Sequence, residues 1–301
     1  MSDPALLAGL PPATLRPVST EGTSGPVVVA GATGNVGGEL VRALAAAGAP
    51  VRALVRADPP TDLPAGVLSV AGDLDRPDSL RTALDGAEAA FLLPGFSDMR
   101  GVMARIRDAG LRRVVLLSGS SAEEGDRDDA ITRYMRDSEA AVRAGGVAWT
   151  ILRPSGFMSN TLQWVEPLRA GDLVRAPFAG VPIAVIDPYD IAAVAAVALL
   201  RGGHEEQALR LTGPEALRPA DRARILGEVL GRDVRFEGQP DDEAHAEMSA
   251  SMPSTYVDAF FSFYVDGALD ESVVLPTVEE VCGRPSRTFA QWAATHAEAF
   301  R

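Results

Sequence analysis

Short, almost uniformly apolar segments alternate with amphipathic segments from Val27 onward. The apolar segments are rich in β-branched residues and lack polar alternation, which is typical of strands covered on both faces. The segments between them have helical spacing, so the alternation predicts an α/β fold with a doubly wound parallel sheet of the Rossmann type. The candidate strands are VVVA, VRALV, VLSVA, AAFLLP, RRVVLLS and WTILRP, and the candidate helices cover 35–47, 77–85, 98–109 and 129–145.

Two changes in this rhythm predict the domain organisation. Residues 1–24 contain several prolines and no periodic pattern, and we interpret them as an N-terminal tail. Residues 25–156 form the predicted dinucleotide-binding domain. From 157 to 301 the spacing loosens, which predicts a small mixed α/β C-terminal cap for substrate, with 182–201 returning to the Rossmann sheet. Its predicted helices are 158–169, 188–201, 219–230, 254–266 and 286–299, and its predicted strands are 182–186, 208–212 and 233–236.

A glycine-rich turn follows the first candidate strand and opens the first candidate helix. Gly31, Gly34 and Gly37 stand three residues apart in GATGNVG. In a dinucleotide site such glycines permit a tight turn, a close approach of the backbone to a pyrophosphate, and close packing of helix on strand. A purely structural turn could use the same spacing, but the flanking strand and helix favour nucleotide binding.

The end of the second strand indicates which dinucleotide is bound. A carboxylate there binds the free ribose hydroxyls of NAD, whereas an arginine suits the 2′-phosphate of NADP. The strand ends in Arg56, which predicts that NADP(H) is preferred over NAD(H), although Asp58 is close by and a solvated arginine is an alternative. Asp73, after the third strand, is a candidate adenine contact or a turn-capping residue.

Composition excludes several kinds of chemistry. All 28 basic residues are arginine, so no lysine is available for a Schiff base or for a lysine-assisted tyrosine. The net charge of −13 disfavours nucleic acid and anionic membranes as partners. With a single cysteine, Cys282, and three scattered histidines, the sequence predicts neither an intrachain disulfide nor a metal site.

Apolar runs are too short to cross a membrane and no export signal is visible. These features predict a cytoplasmic protein, monomeric or homodimeric, that acts on a small molecule.

Several motifs together resemble the NmrA-like, atypical short-chain dehydrogenase/reductase family, over a span from about Val27 to the C-terminus. They are GATGNVG, VRALVR, AGDL, RRVVLLSGSS, WTILRPSGFMSN, DPYDIAAVAAVAL and LTGPEALRPADRARILGEVLGR. The resemblance implies an NAD(P)-binding Rossmann domain, and members of the family include both reductases and redox-sensing regulators. Matched position by position, it implies a cofactor site formed by Gly31, Thr33, Gly34, Asn35, Val36, Gly37, Arg56, Asp73, Leu92, Leu93, Pro94, Ser118, Gly119, Pro154, Ser155 and Phe157.

The proton relay usual in short-chain dehydrogenases is incomplete in this chain. Where such enzymes carry Tyr-x-x-x-Lys, this sequence has Tyr134 and Ser138, with Ser121 upstream as a further candidate catalytic residue. A second alignment places Met135 where many NmrA-like reductases carry a lysine or histidine. Without a nearby cation, the pKa of Tyr134 is expected near that of an ordinary phenol, about 10, which makes it a weak acid–base catalyst.

Aromatic residues concentrate near the end of the chain, in YVDAFFSFY. Helical spacing places several of them on one side, where they suit a flat, apolar substrate, although an aromatic stripe can equally be core. The candidate pocket residues are Met135, Phe157, Asn160, Trp164, Tyr256, Phe260 and Tyr264.

The sequence contains the glycine-rich cofactor turn but lacks the lysine of the usual proton relay, and this combination favours a reductase of electrophilic acceptors. We predict an NADPH-dependent reductase of an aromatic or conjugated small molecule, such as a quinone, imine or enone, because these acceptors need little help from a protein acid. Two alternatives remain at this point: a non-catalytic NADP(H)-binding redox sensor that regulates a protein partner, and a non-redox cyclase or isomerase on the same fold.

Overall fold

The computed structural model describes residues 25–56, 63–123 and 127–301. The predicted N-terminal tail and Asp58 lie outside the described residues. Within the described part of the chain, no helix is both long enough and apolar enough to span a membrane.

A seven-stranded parallel sheet forms the centre of the described structure, in the order β3-β2-β1-β4-β5-β6-β8. The chain moves outward from β1 to β3 and then returns to β4 on the other side of β1, so the sheet is doubly wound as predicted. The crevice of such a sheet lies at the carboxyl ends of β1 and β4, where the winding direction reverses. The strands are β1 (Val27–Val29), β2 (Val51–Val55), β3 (Leu68–Ala71), β4 (Ala89–Leu92), β5 (Arg113–Leu117), β6 (Ala148–Pro154) and β8 (Gln207–Leu211).

Helices cover both faces of this sheet, which explains the continuous apolar strands. On one face, α1 and α6 pack on the sheet and on each other, and nearly every residue of α6 is buried. On the other face, α3 and α4 join α2 over a second apolar core. These helices are α1 (Asn35–Ala46), α2 (Arg81–Leu84), α3 (Met99–Asp108), α4 (Ala130–Arg143) and α6 (Pro188–Arg201).

The C-terminal part has a separate core over one end of the sheet, centred on Trp164, Phe289, Trp292 and Phe300. It includes a two-stranded parallel sheet of β7 (Leu173–Ala176) and β9 (Arg235–Gly238). Its helices are α5 (Val165–Ala170), α7 (Pro219–Leu230), α8 (Asp241–Ser251), α9 (Ser254–Tyr264), α10 (Thr277–Cys282) and α11 (Phe289–His296). Short 3-10 helices are Pro77–Leu80, Ser120–Ala122, Met158–Trp164 and Ala297–Phe300.

The strand predicted at 182–186 is wrong. This segment forms only isolated bridges, from Ile183 to Leu217 and from Ile186 to Phe157. Its Ala184 N–H donates instead to the Glu271 carbonyl, so its backbone hydrogen bonds go to separate segments rather than to one partner strand. The β-branched residues of this segment correctly indicated that it is buried, but they gave no information about which strand it would pair with.

Helix α8 was not predicted because its sequence, DDEAHAEMSAS, has no apolar stripe. Ala244 is the residue of this helix that is buried, so the helix makes little contact with a core. Its first turn contains three acidic residues, which stabilise the N-terminus of a helix through its dipole.

Candidate active site

The turn between β1 and α1 has the backbone geometry that its glycines predict. Gly31 has a φ of +64°, a region that side chains rarely adopt. A Cβ on Gly37 would lie 2.1 Å from the Gly31 carbonyl oxygen, so only glycine lets the helix start this close to the strand. The sequence motif therefore encodes a specific backbone shape.

The same turn fits the pyrophosphate of a dinucleotide. Gly34, the N-cap of α1, provides no side-chain cap, and the first turn of the helix contains no acidic residue. Thr33, Gly34 and Asn35 are exposed at the end of the sheet. The first N–H groups of α1 and the positive end of its dipole are therefore available to an anion at the switch point of the sheet. Val36 follows with its side chain buried in the core below.

Neighbouring loops bring other predicted cofactor residues to this edge. Leu92 is the last residue of β4, and Leu93 and Pro94 follow it in the loop. The Leu93 side chain packs against Gly31, because a Cβ added at Gly31 would be 2.7 Å from the Leu93 Cδ1 atom. Arg56 is exposed at the end of β2. The Asp73 carboxylate accepts a hydrogen bond of 3.0 Å from the Asp75 N–H, so it stabilises its own turn.

Hydroxyl groups at the ends of β5 and β6 are engaged with the protein. The Ser118 hydroxyl donates to Glu139 at 2.7 Å, and the Ser155 hydroxyl, just beyond Pro154, donates to the Ala184 carbonyl at 2.5 Å. These bonds hold the two loops that the resemblance predicts to lie beside the nicotinamide. Gly119, which follows Ser118, lies close to the Met135 side chain. A Cβ added at Gly119 would be 3.3 Å from the Met135 Cε atom.

A buried ion pair supports the Ser118 loop from below. Two nitrogens of Arg153 donate to the Glu139 carboxylate at 2.8 and 2.6 Å. Burial alone would raise the pKa of Glu139, but the hydrogen bonds from Arg153 and Ser118 hold that pKa below its ordinary value. Glu139 therefore stays ionised and acts as a structural anchor.

Beside these loops, a cavity of about 790 Å³ extends into the cap. Its wall is largely aromatic and aliphatic, which suits a flat organic substrate. It brings together five of the predicted pocket residues: Phe157, Asn160, Trp164, Phe260 and Tyr264. The other two lie elsewhere, because Met135 packs beneath Gly119 and Tyr256 is exposed on α9, with its ring centroid 6.2 Å from that of Tyr134.

Tyr264 carries the cavity's best-placed proton donor. Its hydroxyl donates to Glu271 at 2.7 Å, and the Ser120 hydroxyl donates to the other carboxylate oxygen at 2.5 Å. The Gly156 N–H also donates to this carboxylate. Through these hydrogen bonds Glu271 connects the loop after β5, the loop after β6 and helix α9. Glu271 is 5% exposed, so this cluster is buried.

Burial sets the protonation of this cluster. It raises the pKa of Glu271, which favours the neutral acid, and it raises the pKa of Tyr264, an effect to which Glu271 adds. When Glu271 is neutral, its hydrogen bond with Tyr264 can reverse: the carboxyl proton is donated to the Tyr264 oxygen, and the Tyr264 proton can then point into the cavity. A tyrosine and a carboxyl group in this arrangement can pass a proton without lysine.

The predicted catalytic residues occupy other positions. Tyr134 packs against Gly95 and lines a different, smaller cavity together with Ser138. Burial, with Tyr256 nearby, raises the pKa of Tyr134 above its ordinary value, rather than leaving it there as expected. The Ser138 hydroxyl donates to the Tyr134 carbonyl and accepts from the Gly95 N–H, so it fastens α4 to the β4 loop. Ser121 is buried in the 3-10 helix after β5, one residue beyond Ser120.

Comparison with known proteins supports this geometry. Residues 31–200, which include the glycine turn and the strands around it, match the model of a family described as NAD(P)H-binding. The chain belongs to this family. Membership in the NAD(P)H-binding family confirms the predicted NAD(P)-binding assignment, and the observed fold agrees with the predicted resemblance to the NmrA-like, atypical short-chain dehydrogenase/reductase family.

Two known reductases are similar to this protein over almost the whole chain. A (4-alkanoyl-5-oxo-2,5-dihydrofuran-3-yl)methyl phosphate reductase from Streptomyces griseus is 43% identical over 91% of this chain and 99% of its own. An NAD(P)H azoreductase from Xenophilus azovorans is 38% identical over 91% of this chain and 99% of its own. These names confirm the prediction of an NAD(P)H-dependent oxidoreductase.

A solved structure of Nmra, a negative transcriptional regulator, superposes with a TM-score of 0.69 at 18% identity, over 90% of this chain and 94% of its own. At this identity the likeness extends to the fold alone.

Ser120, Glu271 and Arg222 were not predicted as site residues from the sequence. Glu271 lies in a segment without periodic spacing, which offers no signal of its approach to Ser120 and Tyr264. Arg222 did leave a signal, because it stands three and four residues before the buried Ile225 and Leu226 of α7, on the apolar face of a helix.

Proposed function

We propose that this protein is an NADPH-dependent reductase of conjugated carbonyl compounds. The observation that carries the proposal is the Tyr264–Glu271–Ser120 cluster, which places a proton donor in the wall of a largely apolar cavity beside the carboxyl end of β6 and ties it to the loop after β5. A conjugated acceptor requires a hydride at one carbon and a proton elsewhere. The cavity supplies the second of these from its own side chains.

The printed substrates of the two relatives support the same class. The name of the Streptomyces griseus enzyme describes a dihydrofuranone ring whose alkene is conjugated to carbonyl groups and which carries a phosphate ester. The azoreductase is named for acceptors with a conjugated nitrogen–nitrogen double bond. In both classes the acceptor is electrophilic before any protein acid acts on it, which agrees with a site that lacks lysine.

Each element of the site has a separate task in this reaction. The glycine turn and the start of α1 bind the pyrophosphate, and the loops held by Ser118 and Ser155 shape the place of the nicotinamide. Bound NADPH supplies the hydride. Tyr264 hydrogen-bonds the carbonyl oxygen of the acceptor and donates its proton there, Glu271 returns a proton to Tyr264, and Glu271 regains a proton from solvent after the product leaves. The aromatic wall excludes water and holds the ring flat.

The proposal is tested by following nicotinamide absorbance in the purified protein with NADPH and a panel of acceptors. The panel contains a conjugated butenolide, a quinone, an azo dye and an isolated aliphatic ketone. We expect oxidation of NADPH with the conjugated acceptors, at rates on the order of 100-fold or more above the isolated ketone, because that ketone depends most on strong acid catalysis. Equal rates for all four acceptors, or no rate with any, would contradict the proposal.

NADPH preference is assigned to Arg56, which is exposed at the end of β2. A guanidinium there can form charge-assisted hydrogen bonds to the 2′-phosphate. We expect Arg56→Ala to raise the KM for NADPH on the order of 10-fold or more and to leave the KM for NADH unchanged, because only NADPH carries that phosphate. Steady-state kinetics with both cofactors measures the effect. A parallel rise for both cofactors would assign Arg56 a structural role.

A further inference from the structure

Arg222 is a buried cation in the wall of the substrate cavity. It belongs to the first turn of α7, its side chain is 9% exposed, and it lines the cavity together with Trp164 and Tyr264. Its guanidinium carbon lies 5.2 Å from the centroid of the Trp164 ring, and its Nη1 donates a long hydrogen bond of 3.4 Å to the Thr161 hydroxyl. These neutral contacts orient the guanidinium.

No carboxylate among the described residues neutralises this charge. The Nε atom of Arg222 is buried without a hydrogen-bond partner in the same part of the chain. By contrast Arg175, the other arginine of the cavity, is paired with Glu237 and Glu243 at 2.9 and 2.8 Å. Of the two arginines that line this cavity, Arg222 is therefore the one without a carboxylate partner among the described residues.

The position of Arg222 is unfavourable in two further ways. The N-terminal end of a helix carries partial positive charge, which repels a cation in the first turn. Burial lowers the pKa of Arg222 to about 10, and at neutral pH the group is still charged. A buried charge without a counter-ion destabilises a protein. An anion that enters the cavity would remove this cost and would be bound strongly in return.

We propose that Arg222 binds an anionic oxygen group of the substrate, a phosphate ester or a carboxylate, so that this reductase acts on acidic conjugated carbonyl compounds. The inference rests on the proposed function and names its substrate class. A guanidinium binds such oxyanions through two parallel hydrogen bonds, and Arg222 lines the cavity that the substrate would occupy. The Tyr264 hydroxyl lies close enough to interact electrostatically with Arg222. An anchored anion thus fixes the substrate beside the proton donor.

The test compares Arg222→Met with a matched control on the same helix. Arg224→Gln removes an exposed arginine that is paired with Glu228, so it changes charge equally and leaves the cavity intact. Binding is measured first, at a saturating concentration of NADP⁺. A non-reactive phosphate monoester and its carboxylate analogue are each titrated, and the changes in melting temperature and in tryptophan fluorescence are recorded. Of the three tryptophans of the chain, Trp164 lies next to the guanidinium and is the one expected to respond to an anion bound there.

We expect anion binding by the native protein and by Arg224→Gln, and a loss of affinity on the order of 10- to 100-fold in Arg222→Met. The larger response of the two anions identifies phosphate or carboxylate as the natural group. Without anion, Arg222→Met should melt at a temperature equal to or higher than that of the native protein, because an uncompensated charge is gone. A clearly lower melting temperature, or anion binding that Arg222→Met retains, overturns the proposal.

Kinetics then separates this inference from the proposed function. A butenolide phosphate ester and its neutral alcohol are compared as acceptors, and Arg222→Met should raise the KM for the ester on the order of 10- to 100-fold while the neutral alcohol keeps its KM. Anion binding that depends on Arg222 without reduction of any acceptor would support the anion site and refute the reductase. Reduction with no preference for the ester would support the reductase and refute the anion site.

Discussion

Gly37→Ala abolishes tight NADPH binding. The added Cβ would lie 2.1 Å from the Gly31 carbonyl oxygen, whereas real Cβ contacts are essentially never under 3.0 Å, so the start of α1 has to move away from β1. A displacement of about 1 Å at the groups that hold a ligand costs on the order of 100-fold in function. We expect the Kd for NADPH to rise by about that factor, and the free energy of unfolding to fall by about 1–3 kcal/mol through overpacking.

Gly38→Ala is the matched control, because it adds the same methyl group one residue later. There the nearest atom, the Ala32 carbonyl oxygen, would be 3.5 Å away, an ordinary van der Waals distance. Alanine also favours a helix over glycine by about 1 kcal/mol. Titration of NADPH and denaturant unfolding measure both variants. If Gly37→Ala binds NADPH as tightly as Gly38→Ala does, the turn is not the pyrophosphate site.

Tyr264→Phe lowers kcat while leaving NADPH affinity unchanged. The substitution keeps the aromatic wall and removes the hydroxyl that Glu271 holds at 2.7 Å. A positioned acid contributes about 10²- to 10⁴-fold, so we expect kcat for a conjugated ketone to fall on the order of 100-fold. Tyr134→Phe tests the competing assignment, and because Tyr134 lines a different cavity we expect kcat to change by no more than about 2-fold. The opposite ranking of the two variants would restore Tyr134 as the acid.

The pH dependence distinguishes the relay from a merely structural hydrogen bond. Burial raises the pKa of Glu271, so the active neutral form persists below this raised pKa and is lost as the pH rises through it. We expect kcat to decline on that alkaline side in the native protein. In Glu271→Gln we expect kcat to be lower at every pH and to show no such decline, because glutamine still forms a hydrogen bond with Tyr264 but has no proton to transfer. An unchanged pH profile would exclude Glu271 from the relay.

The sheet and the cofactor turn could be predicted because their signals are local. The β1–α1 turn depends on glycines within seven residues, and the crossover pattern that follows fixes parallel strands between buried helices. The segment 182–186 shows where this reasoning stops. Its apolar residues report burial correctly, but its hydrogen-bond partners include Glu271 and Leu217, which are distant in the chain and leave no mark on its own composition.

The missing lysine led to a correct statement about what the site lacks but not to what replaces it. Tyr134 was chosen because it stands where related enzymes carry their tyrosine. In the structure, Ser138 fastens that part of α4 to the Gly95 loop. In the sequence Tyr264 is recognisable only as part of an aromatic stripe, and its proposed role as a proton donor depends on its hydrogen bond to Glu271.

By itself, then, the sequence determined the doubly wound sheet, the glycine turn for the pyrophosphate and the absence of a lysine relay, because periodicity, backbone permissiveness and residue type are properties of short stretches. Tertiary structure alone decided which acid faces the cavity and which arginine is left without a counter-ion. Ser120 and Glu271 are 151 residues apart in the chain, and Thr161 and Arg222 are 61 apart. Contacts of this kind, and the burial that shifts their pKa values, arise only when the cap closes over the sheet.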